Sequence, residues 1–529
     1  MYLSKTRILL AFGLLLAVLI GCSSNSDGGS DTDNEQQEGE EQTQEGGTLN
    51  FAFHLQPPSL DPHTNTDIGT RDISQHIFEA LVTMNSSLEV EPMLAEDFEI
   101  SDDGKEVTFN LREGILFHNG EEMTAEDVIA SLERWQSLSS QAQTYHGETT
   151  FEAADEYTVI AHIPNPSTMD MYIFADMTQF AAIMPKEIVE EAGAEIVSDY
   201  IGTGPYQFSE FRQDQYVHLV RNENYQSRTE ASDALAGEKK AILDEIYFHF
   251  VTDASTRVAG LQSGEYDIAN AIPQDSAMQL ESSEDIQLNI AANSFPTLIF
   301  NKSNGVFSDL EFRKIANTAI NVEDMLIAAY GNENYYVKDH ALVQEEQAGW
   351  YSEAGKDIFE TYDPELAKEM LEESDYDGEE IVILTSRENP DEYNMSVVAE
   401  ESLKSIGMNV TLAESDWGTV LEKREDEEAW DIFFTSFAMR PMPTQYLFLN
   451  QGWFGWTDSE ELRSLGEQIV NAGSIEEAQQ FKDDYHQAFW EYLPVIKPGN
   501  KTGITALRSN VEGFDYLTGP IVWNVTIDK

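Results

Sequence analysis

The side chains able to do covalent chemistry are sparse in this sequence. The chain has ten histidines, scattered without a pair at metal-ligand spacing, and one cysteine, Cys22. Neither a Gly-x-Ser-x-Gly elbow nor a His-Glu-x-x-His helix occurs, and no Gly-rich loop is followed by Lys-Ser/Thr. A secreted hydrolase, a zinc site and an ATP-hydrolysing centre therefore lack their parts. What remains is the chemistry of recognition. Arg440 stands in Ala438-Met439-Arg440-Pro441-Met442-Pro443-Thr444, and no carboxylate lies between Asp431 and Asp458. A guanidinium there would repel an ammonium group and could grip a carboxylate or phosphate with a bidentate fork. The competing reading is an arginine in solvent, or one paired with a surface acid.

The elements that would carry such a site begin after a leader. Lys5 and Arg7 precede the apolar run Ile8 to Ile20, which is too short and too one-sided to span as a mature helix, and the run closes at Leu19-Ile20-Gly21-Cys22. This resembles the lipobox of bacterial lipoproteins, which implies a diacylglyceryl group on Cys22. An ordinary secretory signal with an incidental cysteine is the alternative. Residues 23–46 are Ser, Asp, Glu, Gln, Gly, Asn and Thr without an aromatic or aliphatic branched residue, so they read as a disordered acidic tether. Within it Asp31-x-Asp33-x-Glu35 lacks the glycine a calcium loop needs, since Gln36 stands there.

From Gly47 onward helix and strand signals alternate. Thr48 to Phe53, Val107 to Leu111, Ile242 to Val251, Tyr266 to Ala271, Glu380 to Thr385 and Met408 to Leu412 read as strands. Asp72 to Leu81 carries Ile73, Ile77 and Leu81 at helical spacing, Thr124 caps a helix striped by Val128, Leu132 and Trp135, and Tyr393 to Ser405 is helical up to Gly407. Ser255 to Ser263 and Asp309 to Tyr330 complete the helical set. Such alternation without a repeat period indicates an α/β protein of mixed sheets. With 41% hydrophobic residues it has material for more than one core. A net charge of −67 excludes nucleic acid as a partner. It also predicts adaptation to high salt, and to alkaline surroundings, because screening relieves the self-repulsion; solubility of an exported protein is the blander account.

Pro57-Pro58-Ser59-Leu60-Asp61-Pro62-His63, Phe117-His118-Asn119-Gly120, Gly202-Thr203-Gly204-Pro205-Tyr206, Arg221-Asn222-Glu223-Asn224-Tyr225, Leu261-Gln262-Ser263-Gly264-Glu265-Tyr266-Asp267 and Phe312 to Ile320 follow in one order. Together they resemble the family 5 solute-binding proteins, the peptide- and nickel-binding group of ABC importers. The resemblance implies an α/β, two-lobed periplasmic-binding-protein-like fold with mixed sheets and an extra small subdomain in the first lobe. By that analogy 47–84, 204–293 and 505–529 form the main part of the first lobe, 85–203 its inserted subdomain, and 294–504 the second lobe. Each motif also has a physical reading as turn or helix-start chemistry, so these are scaffold residues, and His63 and His118 read as structural.

The same resemblance implies a binding protein and not an enzyme, with no cofactor or metal of its own. It would be a monomer on the outer face of the cytoplasmic membrane, or the periplasmic side where there are two membranes, handing its solute to permease and ATPase subunits. A sensor on the same scaffold is the second reading. In peptide-binding relatives a Trp, an Arg seven residues on, a strand and then an Asp that pairs with the peptide's amino group follow one another. Trp417 and Arg424 fit that spacing, whereas Arg440 stands where the acid is expected. Trp417, Phe437, Tyr446 and Trp456 are candidate aromatic walls, and Thr66 and Asp67 border the ligand by analogy. A short peptide is the default ligand; nickel chelates, glutathione-like thiols and sugars stay open.

Overall fold

In the computed structural model residues 46–528 are described. The leader, Cys22 and nearly all of the proposed tether lie outside them. One mixed sheet of twelve strands organises the body. On one flank Thr48–Phe53 lies parallel to Glu245–Phe250 and to Ile268–Ala269, and the antiparallel strands Tyr216–Arg221 and Tyr206–Arg212 extend that edge. On the other flank Glu380–Thr385 runs parallel to both Asn409–Glu414 and Ile432–Ala438. The crossover between the first two is the helix Pro390–Ile406, stopped by Gly407 in the left-handed conformation. A parallel pair requires such a crossover, because a short turn cannot return the chain to the same end.

Two long strands join the flanks. Ile286–Phe300 pairs antiparallel with Asn500–Arg508 over its first part and with Ile432–Ala438 over its second, with a bulge between Ala292 and Ser294. Asn500–Arg508 in turn pairs with Ile268–Ala269. The first of these strands thus pairs with one flank, the second with the other, and their mutual pairing joins the two. A bulge bends a strand and increases its twist, and here it falls where the pairing partner changes.

A separate antiparallel sheet holds Ala95–Ile100, Glu106–Leu111, Thr158–His162 and Thr150–Asp155 in that spatial order. The helix Ala125–Leu138 begins with a reciprocal cap between Thr124 and Asp127 and buries Val128, Leu132 and Trp135. The stripe read from the sequence is therefore core packing.

The helix expected from Asp72 to Leu81 forms elsewhere, over Ile68–Ser74. The carbonyls of His76 and Ile77 accept from the amides of Tyr206 and Gly204 at 3.0 and 2.9 Å, so they are taken by a neighbouring segment and not by the next helical turn. Gly202 and Gly204 permit that approach: an added Cβ would stand 2.2 Å from the Ile77 carbonyl oxygen at Gly202 and 2.7 Å from the His76 carbonyl oxygen at Gly204. Ile73, Ile77 and Leu81 are all buried, which is why their spacing imitates a helix.

Candidate ligand-binding cavity

The loop Ser59 to Asp67 is fastened from several sides. Asp61 is fully buried and forms a 2.7 Å ion pair with Arg134. The Arg134 guanidinium also reaches the His63 ring, whose other nitrogen bonds the Ala182 carbonyl at 2.9 Å. Burial holds His63 down at about 4, so it is neutral at physiological pH. His118 is likewise bonded to Gly204 and Gly202 and held down at about 4 by burial. Both histidines are structural.

This fastened loop positions a short helix. Asp67 is its N-cap, accepting from the Thr70 amide at 3.0 Å, and the Thr70 hydroxyl donates to the Ser59 carbonyl at 2.7 Å. One turn on, Arg71 pairs with Asp72 at 2.7 Å and donates to the Thr518 carbonyl in the hairpin formed by Asp515–Tyr516 and Pro520–Ile521. Burial pushes Asp72 up to about 6 even beside Arg71.

Arg71 and Thr518 line a cavity of about 690 Å³, within the range of roughly 300–1,000 Å³ usual for small-molecule sites. Its lining also includes Asn293 and Asn500 from the two joining strands, together with Gln347, Tyr351 and Arg440. Residues far apart along the chain therefore face one space. Arg440 is held from its backbone: its amide donates to the Tyr446 hydroxyl at 3.2 Å, and Gln347 donates to the Arg440 and Pro441 carbonyls at 3.0 and 3.1 Å. Its guanidinium has neither ion pair nor hydrogen bond among the described residues. The reading in which a surface acid pairs with it finds no partner there.

Asp339 also lines the cavity and is 9% exposed. It opposes burial with Lys497, His340 and the Ala341 amide, and the balance holds it down at about 2. Lys497, 0% exposed, donates to the Asp339 carbonyl and to the Asn500 side chain at 2.8 and 2.7 Å. This cavity carboxylate is thus ionised but already matched by a buried ammonium.

The other predicted residues lie around the cavity and not on its wall. Tyr446, 1% exposed, is a strut: its hydroxyl donates to the Leu342 carbonyl at 2.7 Å while receiving Arg440. Phe437 packs against Phe448 and Trp453 at 5.0 and 5.5 Å, and Trp456 stacks on Trp430 at 5.7 Å. Trp417 opens the helix Trp417–Lys423 and stacks over Phe433 at 6.3 Å, while the Arg424 guanidinium sits 4.3 Å over the Phe454 ring. Thr66 is exposed, and Asp67 acts through the helix it caps. The aromatic residues that do line the cavity are Tyr336, Tyr351 and Tyr516. Their sequence neighbourhoods carry no distinguishing motif. Arg71 had one readable signal, a cation one turn after a capping Asp.

This arrangement, two flanks of a mixed sheet joined by two strands beside a cavity, is the architecture of two-lobed periplasmic binding proteins. HbpA2 from Haemophilus parasuis matches with a TM-score of 0.78 at 20% identity, over 91% of this chain and 100% of that one. The model of the bacterial extracellular solute-binding proteins, family 5, matches residues 89–457, and the chain belongs to that family. Among curated relatives, the probable peptide ABC transporter periplasmic-binding protein y4tO of Sinorhizobium fredii is 28% identical over 491 residues, covering 88% of this chain and 91% of the relative. The glutathione-binding protein GsiB of Salmonella typhi is 26% identical over 475 residues, covering 86% and 89%. No described helix is long and apolar enough to cross a membrane.

Proposed function

We propose that this chain is the extracytoplasmic binding lipoprotein of an ABC importer, anchored through Cys22, which captures a short peptide or peptide-like solute bearing an anionic group and delivers it to a permease. The observation that carries the ligand assignment is Arg440, whose guanidinium has no partner among the described residues, on a cavity of about 690 Å³. The importer assignment draws on the peptide transporter and glutathione-binding relatives.

In this reading 47–84, 204–293 and 505–529 make the main part of the first lobe, 85–203 the inserted subdomain and 294–504 the second lobe. The strands Ile286–Phe300 and Asn500–Arg508 serve as the hinge. The ligand enters between the open lobes and is sequestered when they close. The protein acts as a monomer and performs no chemistry on its solute.

Mass spectrometry of solutes that co-purify with the protein, with a thermal-shift screen at high salt of neutral peptides, acidic peptides and metal chelates, tests the reading. A peptide or acidic solute in the extract is expected, and Arg440→Ala is expected to weaken it at least about tenfold, as loss of a charge-assisted contact would. Unchanged affinity in Arg440→Ala sinks the anionic selectivity. Normal solute uptake in a deletion strain would replace import by sensing.

A further inference from the structure

Beside the main cavity lies a recess of about 40 Å³ whose lining includes Arg71, Thr178, Arg440 and Thr518, all four of which also line the larger space. A water needs roughly 10–15 Å³ of such volume, so the recess has room for about three, the size of a carboxylate with its adjoining carbon. Its remaining wall is mostly apolar, from residues such as Met84, Met177 and Leu235.

Three groups in this recess have unused hydrogen-bonding capacity. The Thr518 Oγ1 is buried without a hydrogen-bond partner among the described residues. The Arg71 guanidinium uses Nε and one Nη for Asp72 and the Thr518 carbonyl, leaving its other Nη unbonded among those residues. The Arg440 guanidinium has no partner there. Buried donors are ordinarily satisfied, and a hydroxyl and two guanidinium edges around one small space are complementary to a single planar anion. Asp176 is the carboxylate on this lining; its Oδ1 accepts from the Thr178 amide at 2.6 Å.

We infer that the recess is a carboxylate subsite, in which the free carboxyl end of the ligand sits between Arg71 and Arg440 and accepts from Thr518 Oγ1 while the rest of the ligand extends into the larger cavity. This rests on the proposed function and adds two residues, Arg71 and Thr518, that read the same anion. Arg71 and Thr518 stand on the helix Ile68–Ser74 and the Asp515–Ile521 hairpin, whereas Arg440 follows the strand Ile432–Ala438. One anion therefore touches both sides of the cavity and favours the state in which they are close.

The test uses the full chain in detergent, washed free of solute, and two probes: a pool of tetrapeptides with free carboxyl termini and the same pool as carboxyl-terminal amides. Calorimetry at high salt is expected to show the acids binding about tenfold tighter than the amides. Thr518→Val, which removes only the hydroxyl, is expected to weaken the acids about fivefold and the amides distinctly less; Arg440→Gln is expected to erase the difference. Equal binding of acids and amides by the unaltered protein, or equal weakening of both by Thr518→Val, overturns the subsite while leaving peptide capture intact. Binding of neither pool is a different result: it removes the peptide reading and the subsite with it.

Discussion

Individual side chains around the cavity divide into those that hold charge and those that hold position. Tyr446 is of the second kind, because its hydroxyl ties the Leu342 carbonyl to the Arg440 amide. Tyr446→Phe is expected to lower stability by about 1 kcal/mol, the usual net worth of one such hydrogen bond, and to weaken solute binding through the displaced Arg440 loop; chemical denaturation and calorimetry would read the two effects separately. Lys497 is of the first kind. Burial holds it down at about 8, against the opposing pull of Asp339. Its folded value lies below the unfolded one near 10.4, so between those limits the unfolded chain binds more protons. Stability is therefore expected to rise as pH climbs from about 8 to about 10, and Lys497→Met should flatten that slope in urea melts.

At the scale of elements, the short helix Ile68–Ser74 is where local capping and ligand geometry meet. Asp67→Ala removes the side chain that accepts from the Thr70 amide and should cost about 1 kcal/mol. Because that helix carries Arg71, the same variant should also bind solute less well, which a solvent-exposed loop acid would not cause. The segment Gly202 to Tyr206 offers a sharper test of packing. A methyl group at Gly202 would stand 2.2 Å from the Ile77 carbonyl oxygen and 2.7 Å from the Phe78 ring. Gly202→Ala is expected to destabilise by about 3 kcal/mol or to prevent folding, and an unchanged melting temperature would refute this account of the motif.

For the whole molecule, protons and salt act in predictable directions. Burial holds His63, His118, His146 and His486 down at about 4 and His76 at about 3. Each is neutral when folded and takes up a proton on unfolding below about 6.5, so stability falls as pH drops from about 6.5 to about 4. Asp72, Asp170 and Asp431, all pushed up to about 6 by burial, act in the opposite sense over the acid part of that range. Five histidines against three carboxylates leave a net acid sensitivity, measurable as a falling denaturation midpoint. The net charge of −67 adds a global repulsion that counterions screen within a Debye length of about 8 Å at physiological salt. The melting temperature is therefore expected to rise across a salt series; a flat series would leave solubility as the explanation of the acidity.

Local chemistry was legible in the sequence wherever it acts over a few residues. The Thr124–Asp127 cap, the Gly407 stop and the strands Thr48–Phe53 and Glu380–Thr385 depend on dihedral preference and on which face is apolar, and both are written in neighbouring residues. The α/β class, the family resemblance and the oddity of Arg440 followed from the same local text. The cavity did not. It gathers Arg71, Asn293, Asp339, Arg440, Asn500 and Thr518, which lie far apart along the chain, onto one space. Of the aromatic residues that looked like its walls, Tyr446 is buried in the core, and Trp417, Phe437 and Trp456 pack half-buried against it. Burial rewards rings anywhere in the interior, and only the packing of strands and loops decides which of them meets the solute.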